Sequence, residues 1–221
     1  MEHIEVSKPG GPGSGFHVEG FPEAVKVVGL KGANAKRIAH LVLHFGDLSF
    51  AEACLGTLAT GQVEPIRSAL WNAAVIHYMK CFGQSKARFR LHPDAIYSGN
   101  TIALEAFKFF KDMRNKHIVH DENAFSQALP GAIINRQNSS YKIAKIVTFS
   151  ARADILGQEN FTNLRLLIEG AKAWVIQEYD NLCDLLTKEL EGKSHQELLA
   201  LSDMVYSKPE VKDVSTTRPQ G

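Results

Sequence analysis

The stretch ALWNAAVIHYMKCF, residues 69–82, decides the fold that this sequence can adopt. Pro65 lies just before it, at a position where the first turn of a helix tolerates proline, and Gly83 follows it. Its apolar residues fall on more than one side of a helix: Ala69, Leu70, Ala73, Ala74, Ile76 and Tyr78. A helix that is apolar on several sides is normally buried. We therefore predict a helix over roughly residues 63–82 at the centre of a bundle.

Helical periodicity of apolar residues predicts four further helices around this central one. They cover roughly residues 34–58, 100–120, 161–190 and 195–205. Asn34 is a good N-cap for the first of them. Ser194 and Glu197, three residues apart, form a capping-box pattern at the start of the last.

Between the third and fourth predicted helices the pattern becomes β-like. Residues 133–135 and 143–149 are β-branched and flank a turn-like QNSS at residues 137–140, which predicts a β-hairpin at about 131–157. The β-branched run at 24–30 is a weaker strand candidate, since Gly29 and Gly32 interrupt it. The predicted fold class is mainly α, a bundle of four or five helices with an inserted β-hairpin.

The predicted domain organisation has one domain between two tails. Residues 7–15, SKPGGPGSG, indicate a flexible N-terminal segment over residues 1–23. Residues 24–206 form the single helical domain. Residues 207–221 contain too little apolar sequence to pack and are predicted to be disordered.

Composition narrows the classes of function. The chain has 25 Lys and Arg against 24 Asp and Glu, so its near-neutral charge argues against broad coating of nucleic acid but allows a local basic site. Three scattered cysteines do not predict a disulfide framework or a Cys-rich zinc site. No Gly-rich phosphate loop and no G-x-S-x-G elbow occurs. No signal peptide and no apolar run of about 20 residues is evident, so we expect a cytoplasmic protein without a membrane span.

The densest polar segment is FKDMRNKHIVHDEN, residues 110–123, late in the third predicted helix. On an ideal helix, at about 100° per residue, Arg114 shares a face with His117, and His117 shares one with Asp121. His120 lies about 120° from Arg114, and Asn115 points to another side. One helix does not bring these residues together, whereas a second copy of the chain would complete a shared site. The alternative interpretation is a solvated helix end with cations placed favourably near its C-terminus.

The run RNKHIVH, residues 114–120, resembles the signature of HEPN domains (higher eukaryotes and prokaryotes nucleotide-binding). That signature is an Arg, often followed by a polar residue, and then a His after four to six residues. Here Asn115 follows Arg114, and five residues separate Arg114 from His120. The stretch at residues 69–82 is also similar to AbiU-like abortive-infection proteins within this family. The resemblance covers roughly residues 34–190.

The resemblance implies a metal-independent endoribonuclease without cofactors, acting as a homodimer whose two motifs face one cleft. His120 would be the general base or acid at the ribose 2′-hydroxyl, Arg114 would hold the scissile phosphate, and Asn115 would orient a neighbour or contact the phosphate. An imidazole that titrates near pH ~6.5 suits proton transfer, and a guanidinium matches phosphate oxygens. His117 and Asp121 would line or support the cleft. The expected partners are RNA, a second copy and an antitoxin or regulatory protein, as for a toxin or phage-defence effector.

Two alternatives remain open beside the ribonuclease. One alternative is a metal site, since metal ions bind side chains such as those of His117, His120 and Asp121. His117 and His120 are three residues apart, however, and no second element completes a ligand set, so no metal site is predicted. The other alternative is a non-catalytic, HEPN-like binding or dimerisation module, because a fold does not by itself imply an activity.

A basic loop follows the central helix. Its cations Lys86, Arg88 and Arg90 are candidates for guiding RNA into a cleft, and the plainer interpretation is a solvated loop. His77 and Tyr78 on the central helix fit either the core or a cleft, with the core favoured.

Overall fold

The chain is mainly helical in a computed structural model, which describes residues 6–7, 17–18, 20–120, 125–153, 155–204 and 210–216. Six α-helices occur in these ranges: α1 (Ala33–Leu58), α2 (Ile66–Lys80), α3 (Pro93–Ile96), α4 (Thr101–Met113), α5 (Gln158–Glu191) and α6 (His195–Ala200). The strands are β1 (Val6–Ser7), β2 (His17–Val18), β3 (Ser126–Ile134) and β4 (Ile143–Arg152). The mainly α fold class and the inserted hairpin are confirmed.

The described helices and strands belong to two compact parts of the chain. The first comprises Asp47–Gly83 and Leu91–Ala171, and the second comprises Met1–Gly46, Gln84–Arg90 and Lys172–Gly221. Helices α1 and α5 each contribute residues to both parts.

Helix α2 supplies much of the core of the first part, as its all-round apolar sequence predicts. Trp71, Ala74, Val75, Tyr78 and Met79 are all buried. The helix begins at Ile66 rather than near residue 63, with Pro65 at its N-cap. Other fully buried side chains of this part come from α1, α4 and α5: Leu48, Phe110, Leu164 and Ile168.

A buried chain of hydrogen bonds ties three elements of the first part together. The Tyr97 hydroxyl, at the end of α3, donates to the Leu167 carbonyl of α5 at 2.8 Å. The hydroxyls of Tyr78 and Tyr97 are also 2.8 Å apart. Since the proton of Tyr97 is engaged with Leu167, Tyr78 must be the donor of this second bond. The core interpretation of Tyr78 is confirmed by its full burial.

In the second part, Phe89 anchors the 84–90 loop on α1. Its carbonyl accepts a hydrogen bond from Nε2 of the buried His44 at 2.8 Å, and its N–H donates to Nδ1 of His40 at 3.3 Å. The Arg37 guanidinium lies 4.6 Å from the centre of the Phe89 ring and pairs with Glu178 at 3.0 Å. Backbone and side-chain contacts together hold this loop in place.

The segment at 24–30 is not a strand, so that weaker prediction is wrong. Only a short antiparallel contact forms: Val28 bridges Asp203, the Gly29 N–H donates to Ser202, and the Met204 N–H donates to Val27. The same contact explains the end of α6. The capping box of Ser194 is confirmed, but α6 stops at Ala200 because the residues after Leu201 are extended against this segment.

The strands of the hairpin are longer than the β-branched runs that predict them, residues 133–135 and 143–149. β3 and β4 run antiparallel, from the pair Ser126 and Arg152 to the pair Ile134 and Ile143, with a register shift near Ile134. The described residues place no third strand beside them. Most of the hairpin lies within the predicted range of 131–157, but β3 begins five residues earlier than that range, at Ser126.

Of the predicted tails, only parts are described. Val6–Ser7 pair with His17–Val18 in a two-residue ladder, and Val211–Ser215 form a 3-10 turn. The rest of residues 1–16, residue 19, and residues 205–209 and 217–221 lie outside the described ranges.

Among the described helices, α1 alone is long and apolar enough to cross a membrane by length and composition. The expectation of a protein without a membrane span stays a prediction. Buried core helices have the same character, and Leu41, Leu48, Ala51 and Leu55 of α1 are buried within the chain.

Candidate functional site

The candidate site begins where α4 ends. After Met113 the chain continues as a π-helical turn, Arg114–Val119, and His120 caps it. The sequence predicts a helix through to His120. The segment is helical, but its last turn is π-helical and not α-helical as predicted. π-helical turns are rare and occur often at functional sites. We call Arg114–Val119 together with His120 the motif turn.

The π-helical geometry changes the angles expected for the site. In a π turn the backbone bonds join residues five apart, so the period is longer than the 3.6 residues of an α-helix. Positions three apart, such as Arg114 and His117, therefore separate further around the axis than on an α-helix. The predicted sharing of one face by Arg114 and His117 thus loses its basis.

Arg114 is exposed, and its side chain is held by its neighbour. Its Nη1 donates to Oδ1 of Asn115 at 2.8 Å. Asn115 is half-buried, so one side of the guanidinium is fixed while the remaining N–H groups have no partner among the described residues. Such a fork of donors suits an oxyanion. The interpretation of Asn115 as a residue that orients a neighbour agrees with this contact.

Lys116, on the same turn, pairs with Asp112 at 3.6 Å. This pair is exposed and contributes little to stability. Arg114 and His120 are the other exposed polar residues of the motif turn. Neither pairs with an acidic side chain among the described residues.

His120 is exposed at the end of the turn. No hydrogen bond joins its ring to the Arg114 side chain in the described part of the chain. The two side chains therefore do not form a preformed pair within one copy, in keeping with the expectation that one helix does not bring them together.

The His117 side chain is half-buried and contacts the protein interior rather than solvent alone. Its ring lies edge-on to Phe125, 5.7 Å between centroids, and its Nδ1 is buried without a hydrogen-bond partner among the described residues. A buried, unsatisfied ring nitrogen is costly, about 1–3 kcal/mol. Its contacts fit support of the turn rather than contact with substrate. Asp121, the other predicted supporting residue, lies outside the described residues.

A second polar cluster lies in the same compact part and escapes prediction from sequence. Oδ1 of the buried Asp47 accepts from His77 Nδ1 and from Lys80 Nζ, each at 2.9 Å. The His77 ring also packs on Phe50, with 4.4 Å between centroids. His77 is half-buried, so it combines the two interpretations that the sequence leaves open. No single-sequence signal joins residues as far apart as Asp47 and His77.

The basic loop is only partly available to a ligand. Lys86 and Arg90 are exposed, but Arg88 is buried, so its guanidinium does not present its charge to solvent. The RNA-guiding role of Lys86, Arg88 and Arg90 stays a prediction, and burial makes Arg88 the least suited of the three. The loop belongs to the second compact part, whereas the motif turn belongs to the first.

Among the described residues, no group of three or more His, Cys, Asp and Glu side chains could hold a metal ion. Asp121, the carboxylate of the metal alternative, is not among them.

Comparison with protein-family models, with curated proteins and with solved structures found no match for this chain. The resemblance to HEPN domains therefore depends on the residues quoted from the sequence alone.

Proposed function

We propose that this chain is a metal-independent endoribonuclease of the HEPN type, a bundle of four or five helices that acts as a cytoplasmic homodimer. The observation that carries the proposal is the motif turn. It presents an exposed Arg114, held by Asn115, and an exposed His120 on one π-helical turn at a helix end. An imidazole can transfer the protons and a guanidinium can hold the phosphate in RNA cleavage without a metal.

The proposed reaction uses the nucleophile that RNA itself carries. A His120 imidazole takes the proton of the ribose 2′-hydroxyl as the 2′-oxygen forms a bond to phosphorus. The bond from phosphorus to the 5′-oxygen breaks, and that oxygen receives a proton from the partner subunit's His120. The products are a 2′,3′-cyclic phosphate and a free 5′-hydroxyl. Arg114 stabilises the negative charge that develops on the phosphate oxygens.

Two copies are needed because one motif turn carries a single exposed imidazole for two proton transfers. Within one copy, no hydrogen bond joins the side chains of Arg114 and His120, which supports the same requirement. An isologous dimer would place both turns at one two-fold axis. A toxin or phage-defence role, held in check by an antitoxin or regulatory protein, would follow from uncontrolled RNA cleavage.

The test compares cleavage of mixed RNA by the purified chain and four variants, with and without EDTA. We expect cleavage that EDTA does not affect and that Arg114→Ala or His120→Ala reduces by at least about 100-fold, the usual contribution of a general base or an oxyanion donor. His195→Ala and Arg165→Ala replace exposed residues of the same types on α6 and α5 and should retain full activity. Equal activity in all four variants would refute the assignment.

The alternative function is a non-catalytic, HEPN-like binding or dimerisation module. The observation that favours it is the hairpin, where large apolar side chains of both strands are exposed. It predicts no RNA cleavage and a cellular phenotype that survives His120→Ala. The cleavage assay therefore separates the two functions.

A further inference from the structure

The β3–β4 hairpin exposes apolar side chains on both of its faces. In an antiparallel pair, directly opposed residues share a face and successive residues alternate. The register therefore places Leu129, Ile133 and Phe149 on one face, and Ile134, Ile143 and Ile146 on the other. All six are exposed, with Ile134 at 74%, Phe149 at 67% and Ile146 at 65%.

An apolar surface of this kind is expected to be buried against a partner. An isolated two-stranded hairpin is marginally stable in water at best. Together with Tyr141 at the turn, the exposed apolar side chains offer roughly 800–900 Å² of accessible surface, close to the ~800 Å² that each partner contributes to a standard interface. Divided between the two faces, this is roughly 400 Å² on each face, so only a partner that contacts both faces would bury the whole apolar surface of the hairpin.

The charges of the hairpin limit what that partner can be. Residues 126–153 contain four cations, Arg136, Lys142, Lys145 and Arg152, and no acidic residue. The whole chain carries +1, so the remainder of the chain carries −3. Much of the acidic excess lies in the second half of α5, which contains Asp180, Asp184, Glu189 and Glu191 beside one cation, Lys188, while its Glu178 is paired with Arg37. The rest of a second copy therefore complements the hairpin in charge.

From this surface and these charges we propose that the hairpin is an arm that packs onto the body of a second copy of this chain. RNA would also match the cations, but five of the seven exposed apolar side chains are aliphatic, and bases stack on aromatic ones. Two hairpins packed on each other would oppose cation to cation. Pro130 cannot donate a ladder hydrogen bond, so β3 suits packing by its faces rather than strand addition along its edge.

The proposal gives the proposed ribonuclease its dimer contact and in that respect rests on the proposed function. The hairpin follows the motif turn along the chain, separated from it only by residues 121–125. An arm that grips the partner would therefore couple dimer formation to the position of the motif turn.

The test is sedimentation equilibrium of the full chain at several protein concentrations. The unmodified chain should be a dimer. The variant Ile134→Thr/Ile146→Thr keeps β-branched residues in the strands but removes apolar surface, and should raise the dimer dissociation constant at least 30-fold, about 2 kcal/mol. The matched control is Ile102→Thr, an equally exposed isoleucine on α4, which should dimerise like the unmodified chain.

A second variant tests the dimer contact in case the isoleucine substitutions unfold the hairpin. Lys142→Glu/Lys145→Glu should also weaken the dimer, and added salt should weaken the unmodified dimer, because both act on the charge complementarity. An unmodified chain that is monomeric at high concentration would overturn the arm, as would hairpin variants that dimerise normally. Variants that dimerise normally but no longer retain RNA would identify the hairpin as an RNA contact instead.

The proposed arm and the proposed ribonuclease activity can be refuted independently of each other. His120→Ala should dimerise like the unmodified chain whether or not the chain cuts RNA. A chain that dimerises through the hairpin without cutting RNA refutes the ribonuclease and keeps the arm.

Discussion

Tyr97→Phe is the substitution with the clearest expected effect on stability. It removes one oxygen from a fully packed site and keeps the ring. The lost hydroxyl is the centre of the chain from Tyr78 to Leu167, so two hydrogen bonds of 2.8 Å disappear at once.

The magnitude follows from what each lost bond leaves behind. The Tyr78 hydroxyl is left as a donor without a partner in a side chain with no exposed surface, which costs about 1–3 kcal/mol. The Leu167 carbonyl lies inside α5 and keeps the acceptor role of a helical residue, so its loss is the smaller one. We expect Tyr97→Phe to lower the free energy of unfolding by about 2–4 kcal/mol.

Tyr78→Phe should cost less, about 0.5–1.5 kcal/mol, because Tyr97 still donates to Leu167 and only one acceptor site is vacated. In the double variant the orphaned Tyr78 donor is gone as well. The double variant should therefore be more stable than Tyr97→Phe alone, although it carries one more substitution.

Urea unfolding, followed by circular dichroism with a common slope against denaturant, measures these differences. Ile102→Val, at an exposed isoleucine of α4, is the control and should change stability by less than about 0.5 kcal/mol. Additive losses, or a Tyr78→Phe variant that is less stable than Tyr97→Phe, would refute the donor order assigned here.

Three further predictions concern the same compact part. Asp47→Asn should lower the free energy of unfolding by about 1–3 kcal/mol in urea, because two charge-assisted bonds are weakened while His77 can be partly rehydrated. Burial is the main cause that raises the pKa of both Tyr78 and Tyr97, so their contribution to stability is complete below about pH 10 and is lost as the pH rises further. The free energy of unfolding should therefore fall less steeply between about pH 9 and pH 12 for the double Phe variant than for the unmodified chain. Arg114→Lys keeps the charge but not the planar fork, and should lower RNA cleavage at least about tenfold with no change in urea unfolding.

The helices were predictable because their signals are local. The all-round apolar pattern of residues 69–82 and the capping box of Ser194 act within one or two turns, and both appear in the structure. The predicted N-cap Asn34 is wrong, because α1 already begins at Ala33. The hairpin likewise follows from β-branched residues on both sides of a polar turn. Its strands extend beyond the predicted ends because Ala, Ser and Pro130 carry no strong strand signal but still pair.

The site was less predictable because its geometry depends on long-range packing. Nothing in RNKHIV distinguishes a π turn from an α turn. The bond between Asp47 and His77 joins residues thirty positions apart, and burial of Arg88 follows from its neighbours in three dimensions. The sequence therefore supplied the residue types of the motif, while their exposure and contacts required the structure.

The central claim is that the motif turn cuts RNA through the ribose 2′-hydroxyl. Mass spectrometry of the ends of RNA fragments made in EDTA tests it most directly. The unmodified chain should produce 2′,3′-cyclic phosphate ends, and the His120→Ala chain should produce none above background. Fragments with 5′-phosphate ends, cleavage that EDTA abolishes, or no cleavage by a folded dimer would contradict the claim.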